Sequence, residues 1–148
     1  MREPVRNHKV TSPYGMRIHP VTGIQSMHNG IDFVSQDNYP AVYSILAGKV
    51  IYDFDGYDDS KRWTSKKHSA GNMLIIESLI DGLVHYVRYL HLIENYARAH
   101  SVIEQGSLIG KYGDVGISHG SHLHLDIYDK DWQIIDPTFI LSQLDKVN

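Results

Sequence analysis

The sequence predicts a mainly β fold, a single domain with an antiparallel sheet or sandwich at its core and a short C-terminal helix. Three observations carry this expectation. Runs rich in β-branched and aromatic residues recur along the chain, glycines punctuate them as turns would, and helical periodicity is weak until the C-terminal segment.

Taken in order, residues 31–34 (Ile-Asp-Phe-Val) follow an Asn29-Gly30 turn signal and read as a strand. Residues 49–54 alternate, with Val50, Tyr52 and Phe54 on one face and Lys49, Ile51 and Asp53 on the other. Residues 72–78 hold the apolar run Met73, Leu74, Ile75 and Ile76. Residues 83–92 are rich in β-formers: Val84, Tyr86, Val87 and Tyr89. Residues 122–128 alternate again, and Gly48, Gly82, Gly106, Gly110, Gly113 and Gly116 read as turns. Residues 93–100 read as a short helix or an irregular connection. The last element is a helix with Asp136 as N-cap and Pro137 at the first helical position. Its apolar residues Phe139, Ile140, Leu141 and Leu144 are expected to pack as an outer clasp. The polar stretch 55–69 is too long for a tight hairpin turn. Tyr57 and Trp63 give it two readings, a groove wall or a solvated loop.

At 148 residues the chain is expected to be one domain, 1–148, large enough for a real core. No run approaches the roughly 18 apolar residues of a membrane span, so membrane insertion is not expected. The first residues lack an apolar stretch of the secretory type, so no signal peptide is expected. A formal net charge of −3 argues against nucleic acid as a partner. With no cysteine, thiolate metal sites, disulfides and thiol nucleophiles are excluded.

The stretch Gly120-Ser121-His122-Leu123-His124-Leu125-Asp126 is the most informative. In a strand, His122, His124, Asp126 and Tyr128 project from one face, and Leu123, Leu125 and Ile127 from the other. The leucine face belongs in a core. The histidine face needs a chemical reason, and neutral imidazole is the commonest metal ligand. A second cluster, His28-Asn29-Gly30-Ile31-Asp32, sits at a turn that runs into a strand and can aim both side chains at one point. Two imidazole nitrogens and one carboxylate oxygen suit zinc, and three protein ligands leave a fourth position for water, the arrangement of a catalytic site. The chain lacks an H-E-x-x-H helix, in which a glutamate serves as general base beside zinc. Histidine, with an ordinary pKa near 6.5, is the natural substitute.

These motifs resemble the lysostaphin/LytM-type zinc endopeptidases, family 23 of the metallopeptidases. Ser12-Pro13-Tyr14-Gly15-Met16-Arg17-Ile18-His19-Pro20-Val21-Thr22-Gly23 is similar to the family's opening S-x-F/Y-G-x-R-x-H-P-x-T-G. His28-Asn29-Gly30-Ile31-Asp32 resembles H-x-G-x-D, Tyr89-Leu90-His91-Leu92 resembles Y-x-H-L, and Gly120-Ser121-His122-Leu123-His124-Leu125 resembles G-x-H-L-H-F. Gly48-Lys49-Val50 and Asp136-Pro137 match shorter family signals, and the motif core runs over about 12–140. A lone H-x-H is weak, whereas the three histidine motifs in this order are strong. The chain departs from the family at Ser121 (usually proline), Leu125-Asp126 (usually Phe-Glu) and His119 (commonly threonine), without loss of a ligand position.

The resemblance implies a groove above the sheet, one zinc ion on His28, Asp32 and His124, and catalytic work for His91 and His122. It implies hydrolysis of peptide cross-links in bacterial peptidoglycan. Two alternatives are a non-catalytic peptidoglycan-binding or regulatory relative, and a zinc peptidase acting on a non-wall peptide. Asp126 shares the strand face of His124 and has two readings, outer partner of a ligating histidine or unpartnered aspartate. His8, His68, His85 and His100 read as ordinary surface or core residues, His19 and Arg17 as braces of the fold, and His119 as a groove candidate. The expected molecule is a monomer acting at the cell wall or periplasm. A phage lysin or virion-associated peptidase delivered by a holin or a phage particle fits, as does a domain excised from a longer secreted protein.

Overall fold

A computed structural model describes residues 3–19, 22–62, 66–118 and 120–144. Trp63 and His119 lie outside the described residues. The chain runs β1 (His8–Ser12), β2 (Gly15–Ile18), β3 (Gln25–His28), β4 (Ile31–Ser35), β5 (Ala41–Tyr43), β6 (Gly48–Phe54), a 3-10 turn (Asp59–Lys61), α1 (Lys66–Ser69), β7 (Asn72–Ile80), β8 (Leu83–Asn95), β9 (Val102–Ile103), β10 (Leu108–Tyr112), β11 (Leu123–Asp129), β12 (Ile134–Ile135) and α2 (Pro137–Leu144).

All strand pairings are antiparallel, and the main sheet is ordered β1-β4-β11-β8-β7-β6-β9. Alternation sorts its two faces. Leu74 and Ile76 of β7, Val87 and Tyr89 of β8, and Leu123, Leu125 and Ile127 of β11 point into one core with Ile45, Val50 and Ile109. Tyr89 is fully buried, and its hydroxyl oxygen accepts from the Ile45 N–H at 3.0 Å, so its one polar atom is satisfied. Helix α2 begins as its sequence requires, with the Asp136 carboxylate accepting from the Thr138 N–H at 2.9 Å. It closes the core through Ile140, while Phe139 remains exposed rather than packing.

The sheet forks at His91. One edge of β8 pairs with β11 from His85 to Leu90, and the same edge pairs with β10 from Leu92 to Asn95. Between the two, His91 has φ +62, in the left-handed region. This is a bulge: the pairing of β7 with β8 shifts register between Asn72 and Leu74, opposite the same point. The fork is tied by the Gly113 N–H donating to the His91 carbonyl at 2.9 Å and by a bridge between Gly113 and His122.

Several expectations change. Residues 93–95 continue β8, which neither reading of 93–100 anticipated, and 96–100 form the irregular connection, the second of the two readings. A register shift between Val50 and Tyr52 breaks the alternation of β6, so Val50 is buried while Tyr52 is exposed. Gly110 lies inside β10 and Gly48 begins β6, so neither is a turn residue. A side chain at 110 would meet the Glu94 carbonyl oxygen at 2.6 Å, so close strand approach explains this glycine. Gly82, Gly106 and Gly116, with φ between +76 and +83, are turns as expected. The 55–69 segment is tied down where described. Tyr57 N–H donates to Asn72 Oδ1, Asp58 N–H to His68 Nδ1, and Arg62 to the Asp114 carbonyl. No helix among the described residues is long and apolar enough to cross a membrane.

Candidate active site

On the face of the sheet opposite the core lies a cleft of about 410 Å³, lined by His28, Asp32, His91, His122 and His124 together with Arg17. Each histidine arrives from a different structural feature. His28 ends β3 in the small sheet, Asp32 stands in β4 of the main sheet, and the bend at Asn29-Gly30 between them brings both side chains to the same point. His124 lies opposite Asp32 in the β4–β11 register. His91 is turned out of the core by its bulge, and His122 is held at the entry to β11 by the Gly113 bridge. His8, His19, His68, His85 and His100 do not line the cleft.

Three donor atoms form a triangle. His28 Nε2 lies 3.3 Å from His124 Nδ1, His124 Nδ1 lies 3.0 Å from Asp32 Oδ1, and His28 Nε2 lies 3.3 Å from Asp32 Oδ1. Tetrahedral zinc with bonds of about 2.0–2.1 Å separates neighbouring ligand atoms by about 3.3 Å. The triangle is therefore of the size one zinc requires, and the donor set of two imidazoles and a carboxylate fits that metal.

The ring nitrogens turned away from the triangle are also engaged. His28 Nδ1 donates to the Pro13 carbonyl at 2.8 Å, which leaves Nε2 as the acceptor facing inward. His124 Nε2 lies 3.0 Å from Asp126 Oδ2. Asp126 is almost fully buried and receives two hydrogen bonds from Arg88, Nε to Oδ1 and Nη2 to Oδ2, each 2.6 Å. A carboxylate behind a ligating imidazole fixes ring orientation and raises its basicity. The contact between Asp126 and His124 excludes the unpartnered reading of this aspartate.

His91 and His122 stand together beside the triangle, with ring centroids 4.8 Å apart. His91 Nδ1 donates to the Val115 carbonyl at 2.8 Å, so Nε2 is the free acceptor. His122 Nδ1 lies 3.0 Å from the Gly120 carbonyl oxygen, and its Nε2 is 3.7 Å from Asp32 Oδ1. Arg17, which the sequence suggested as a brace, donates through Nη1 to Ser12 Oγ at 2.5 Å and lies 3.7 Å from Asp32 Oδ2. It braces the candidate ligand carboxylate itself, a role its spacing in the chain did not signal.

Electrostatics follow from this packing. Burial pushes the Asp32 carboxyl up, but hydrogen bonds from His124 and His28 and the nearby imidazoles outweigh it and hold it well below the usual carboxylate range. Burial, reinforced by His122 and His124, lowers His91 to about 3, so its ring is neutral at working pH. Burial opposes charge on His124 too, yet the hydrogen bonds to Asp126 and Asp32 win and raise it to about 9. A metal at His124 Nδ1 requires the neutral ring. Metal binding below pH 9 therefore releases a proton from His124, and apparent affinity should rise with pH up to that point. Titration calorimetry with zinc at pH 7, in two buffers of different ionisation enthalpy, should show close to one proton released per ion; no release would contradict the assignment of His124 Nδ1. In the metal-free chain the same group stabilises the fold below pH 6.5 and loses that contribution as pH rises from 6.5 towards 9. His91 acts oppositely, stabilising above 6.5 and losing its contribution as pH falls towards 3.

Gly30 is demanded by the site. A Cβ there would lie 2.4 Å from the Leu125 carbonyl oxygen and 2.6 Å from His124 Nε2. Gly30→Ala should displace the ring from Asp126, destabilise the protein by about 1–3 kcal/mol and weaken metal binding about 10–100-fold. Thermal unfolding and a zinc competition assay check both effects.

A groove over a β-sheet with two histidines and an aspartate converging at zinc-ligand spacing, flanked by two more histidines, defines the site of a metallopeptidase-type domain. The chain belongs to peptidase family M23, whose model matches residues 26–137. It is 36% identical over 121 residues to the peptidoglycan DD-endopeptidase ShyB of Vibrio cholerae, covering 80% of this chain and 25% of that protein. It is 29% identical over 124 residues to the DD-carboxypeptidase/endopeptidase Mpg of Neisseria meningitidis, covering 84% of this chain and 25% of that protein. The chain thus spans about a quarter of the length of these curated relatives. Its fold matches the catalytic domain of the antimicrobial peptidase lysostaphin from Staphylococcus simulans, with a TM-score of 0.71, 26% identity, and 92% and 93% of the two chains covered. It also matches a zinc-containing peptidase from Vibrio cholerae, with a TM-score of 0.70, 32% identity, and 91% of this chain and 38% of the other covered.

Proposed function

We propose that this protein is a zinc-dependent endopeptidase that hydrolyses peptide cross-links of bacterial peptidoglycan. The observation that carries this reading is the triangle of His28 Nε2, Asp32 Oδ1 and His124 Nδ1, with edges of 3.0–3.3 Å, beside the His91–His122 pair. The relatives named as peptidoglycan DD-endopeptidases support a D,D bond between neighbouring stem peptides rather than a glycine bridge.

His28, Asp32 and His124 would hold the ion, with Asp126 and Arg88 behind His124 and Arg17 beside Asp32. When bound, zinc supplies a Lewis acid for the scissile carbonyl and lowers the pKa of a water to about 7. The chain's own groups supply the rest. His91, neutral and fixed through Val115, presents Nε2 as a hydrogen-bond acceptor able to orient the attacking water. His122, with Nδ1 donating to the Gly120 carbonyl, presents Nε2 as a second acceptor; the pair takes the water's proton, and the resulting ring N–H can donate to the developing oxyanion. The leaving amine takes its proton back from the same pair. The wall itself, outside any membrane, is the place of action this chemistry implies.

Incubation of the zinc-loaded protein with purified, cross-linked peptidoglycan, followed by mass spectrometry of released fragments, tests the proposal. Monomeric muropeptides with free D-alanine carboxylates are expected, and their release should stop with a chelator. Stoichiometric zinc without any cleaved wall or soluble peptide would favour the non-catalytic binding module.

A further inference from the structure

The sheet face that carries His124 also carries, farther along β8 and β11, an aromatic shelf that neither the metal triangle nor the histidine pair uses. Tyr86 of β8 and Tyr128 of β11 are directly opposed in the strand register. The Trp132 indole, from the turn between β11 and β12, lies flat on Tyr86, with centroids 3.9 Å apart and planes 4° from parallel. It is 5.7 Å from Tyr128. The three rings lie on the side opposite Leu125 and Ile127, so they contribute nothing to the core.

Trp132 reaches this position at a cost. Its φ is +58, a conformation that suits glycine and is an outlier for a bulky side chain. The turn is locked around it. Asp129 Oδ1 accepts from the N–H groups of Asp131 at 2.9 Å and Gln133 at 3.0 Å, and the Trp132 N–H donates to the Asp129 carbonyl at 3.0 Å. The result is a 45% exposed Trp132 held by turn hydrogen bonds and stacking, rimmed by the exposed polar residues Lys130, Asp131 and Gln133.

The shelf does not line the cleft itself but is linked to the active site by side-chain contacts. The Arg88 guanidinium lies 4.9 Å over the Tyr128 ring and holds Asp126, which contacts His124. His124 and Tyr128 share a strand face four residues apart, or about 13 Å at the usual rise per residue.

We propose that Tyr86, Tyr128 and Trp132 form a sugar subsite that stacks a pyranose ring of the glycan strand while its stem peptide extends along β11 to the histidines. A pyranose has an apolar C–H face that gains dispersion and desolvation on a flat ring, and edge hydroxyls that need polar neighbours. The shelf offers both. An extended peptide of about four residues spans about 13–14 Å, which matches the separation between shelf and site. This subsite rests on the peptidoglycan reading given above.

The test uses the full chain and chitotetraose, a linear β-linked N-acetylglucosamine tetramer, followed by the indole N–H resonance of Trp132 in two-dimensional NMR. A saturable shift at Trp132 is expected. Trp132→Gly, which relaxes the turn and should fold, should weaken binding at least about tenfold, and Trp132→Phe should retain part of it. In a second arm, zinc-loaded protein is given a cross-linked muropeptide dimer with its sugars, and the same peptide without them. Trp132→Gly should reduce the preference for the sugar-bearing substrate about tenfold. An absent shift, an unchanged preference, or concentration-dependent self-association through Trp132 in place of sugar binding overturns the subsite. Sugar binding at Trp132 with neither substrate cleaved upholds the subsite and removes the peptidase reading instead.

Discussion

His91→Ala should lower kcat by about 10²–10⁴ while leaving zinc bound at full stoichiometry. His91 contributes no atom to the triangle, and its ring is neutral, buried and fixed by Val115 with Nε2 directed to the cleft. Its removal therefore deletes the acceptor that orients the attacking water and spares the ligands. His91→Asn separates this from a backbone effect, because asparagine tolerates the left-handed φ of +62 better than alanine. Both variants should lose turnover alike, and His91→Asn should keep the thermal stability. Loss of zinc in either would place His91 among the ligands and overturn its role.

Asp32→Ala should sharply weaken metal binding as well as turnover. One of three ligand atoms is lost, and with a binding free energy on the order of 10 kcal/mol shared among them, affinity should fall by on the order of 10²–10³. Arg17 and His124 also lose their anionic partner. Asp126→Asn gives the graded comparison. The outer carboxylate touches His124 but not the triangle, so affinity should fall only about 10–100-fold. Zinc competition titrations on the two variants check the order, and equal losses would show that Asp126 and Asp32 act in the same shell.

The strands that carry the motifs were legible because their cores are periodic. Leu123, Leu125 and Ile127 lie against the core and His124 and Asp126 on the opposite face, as alternation requires. His91 was legible only through its motif. Strict alternation along β8 would align it with Val87 and Tyr89 in the core, and the bulge at the fork, which reverses this, leaves no mark in residue type. Strand β10 was hidden because Gly110 looks like a turn residue, when its role is to let β8 approach. Strand β5, three residues long, is too short to show any period. The Arg88–Asp126 pair depends on cross-strand register, which pairs residues 38 apart and is set by the whole sheet.

The direction of each ring was equally closed to sequence. His28 faces the triangle with Nε2 and His124 with Nδ1, because the Pro13 carbonyl claims one nitrogen of the first and Asp126 one of the second. These outer contacts decide the tautomers; Pro13 lies 15 residues from His28, and Asp126, though only two residues from His124, leaves open from spacing alone which ring nitrogen it takes.

The central claim is that His28, Asp32 and His124 share one hydrolytic zinc. Anomalous diffraction at the zinc edge, from crystals of the zinc-loaded protein, tests it most directly. The account predicts a single peak about 2.0–2.2 Å from His28 Nε2, Asp32 Oδ1 and His124 Nδ1, with His91 and His122 unligated. A peak held by His91 or His122, or one that leaves any of the three atoms out of reach, would contradict it.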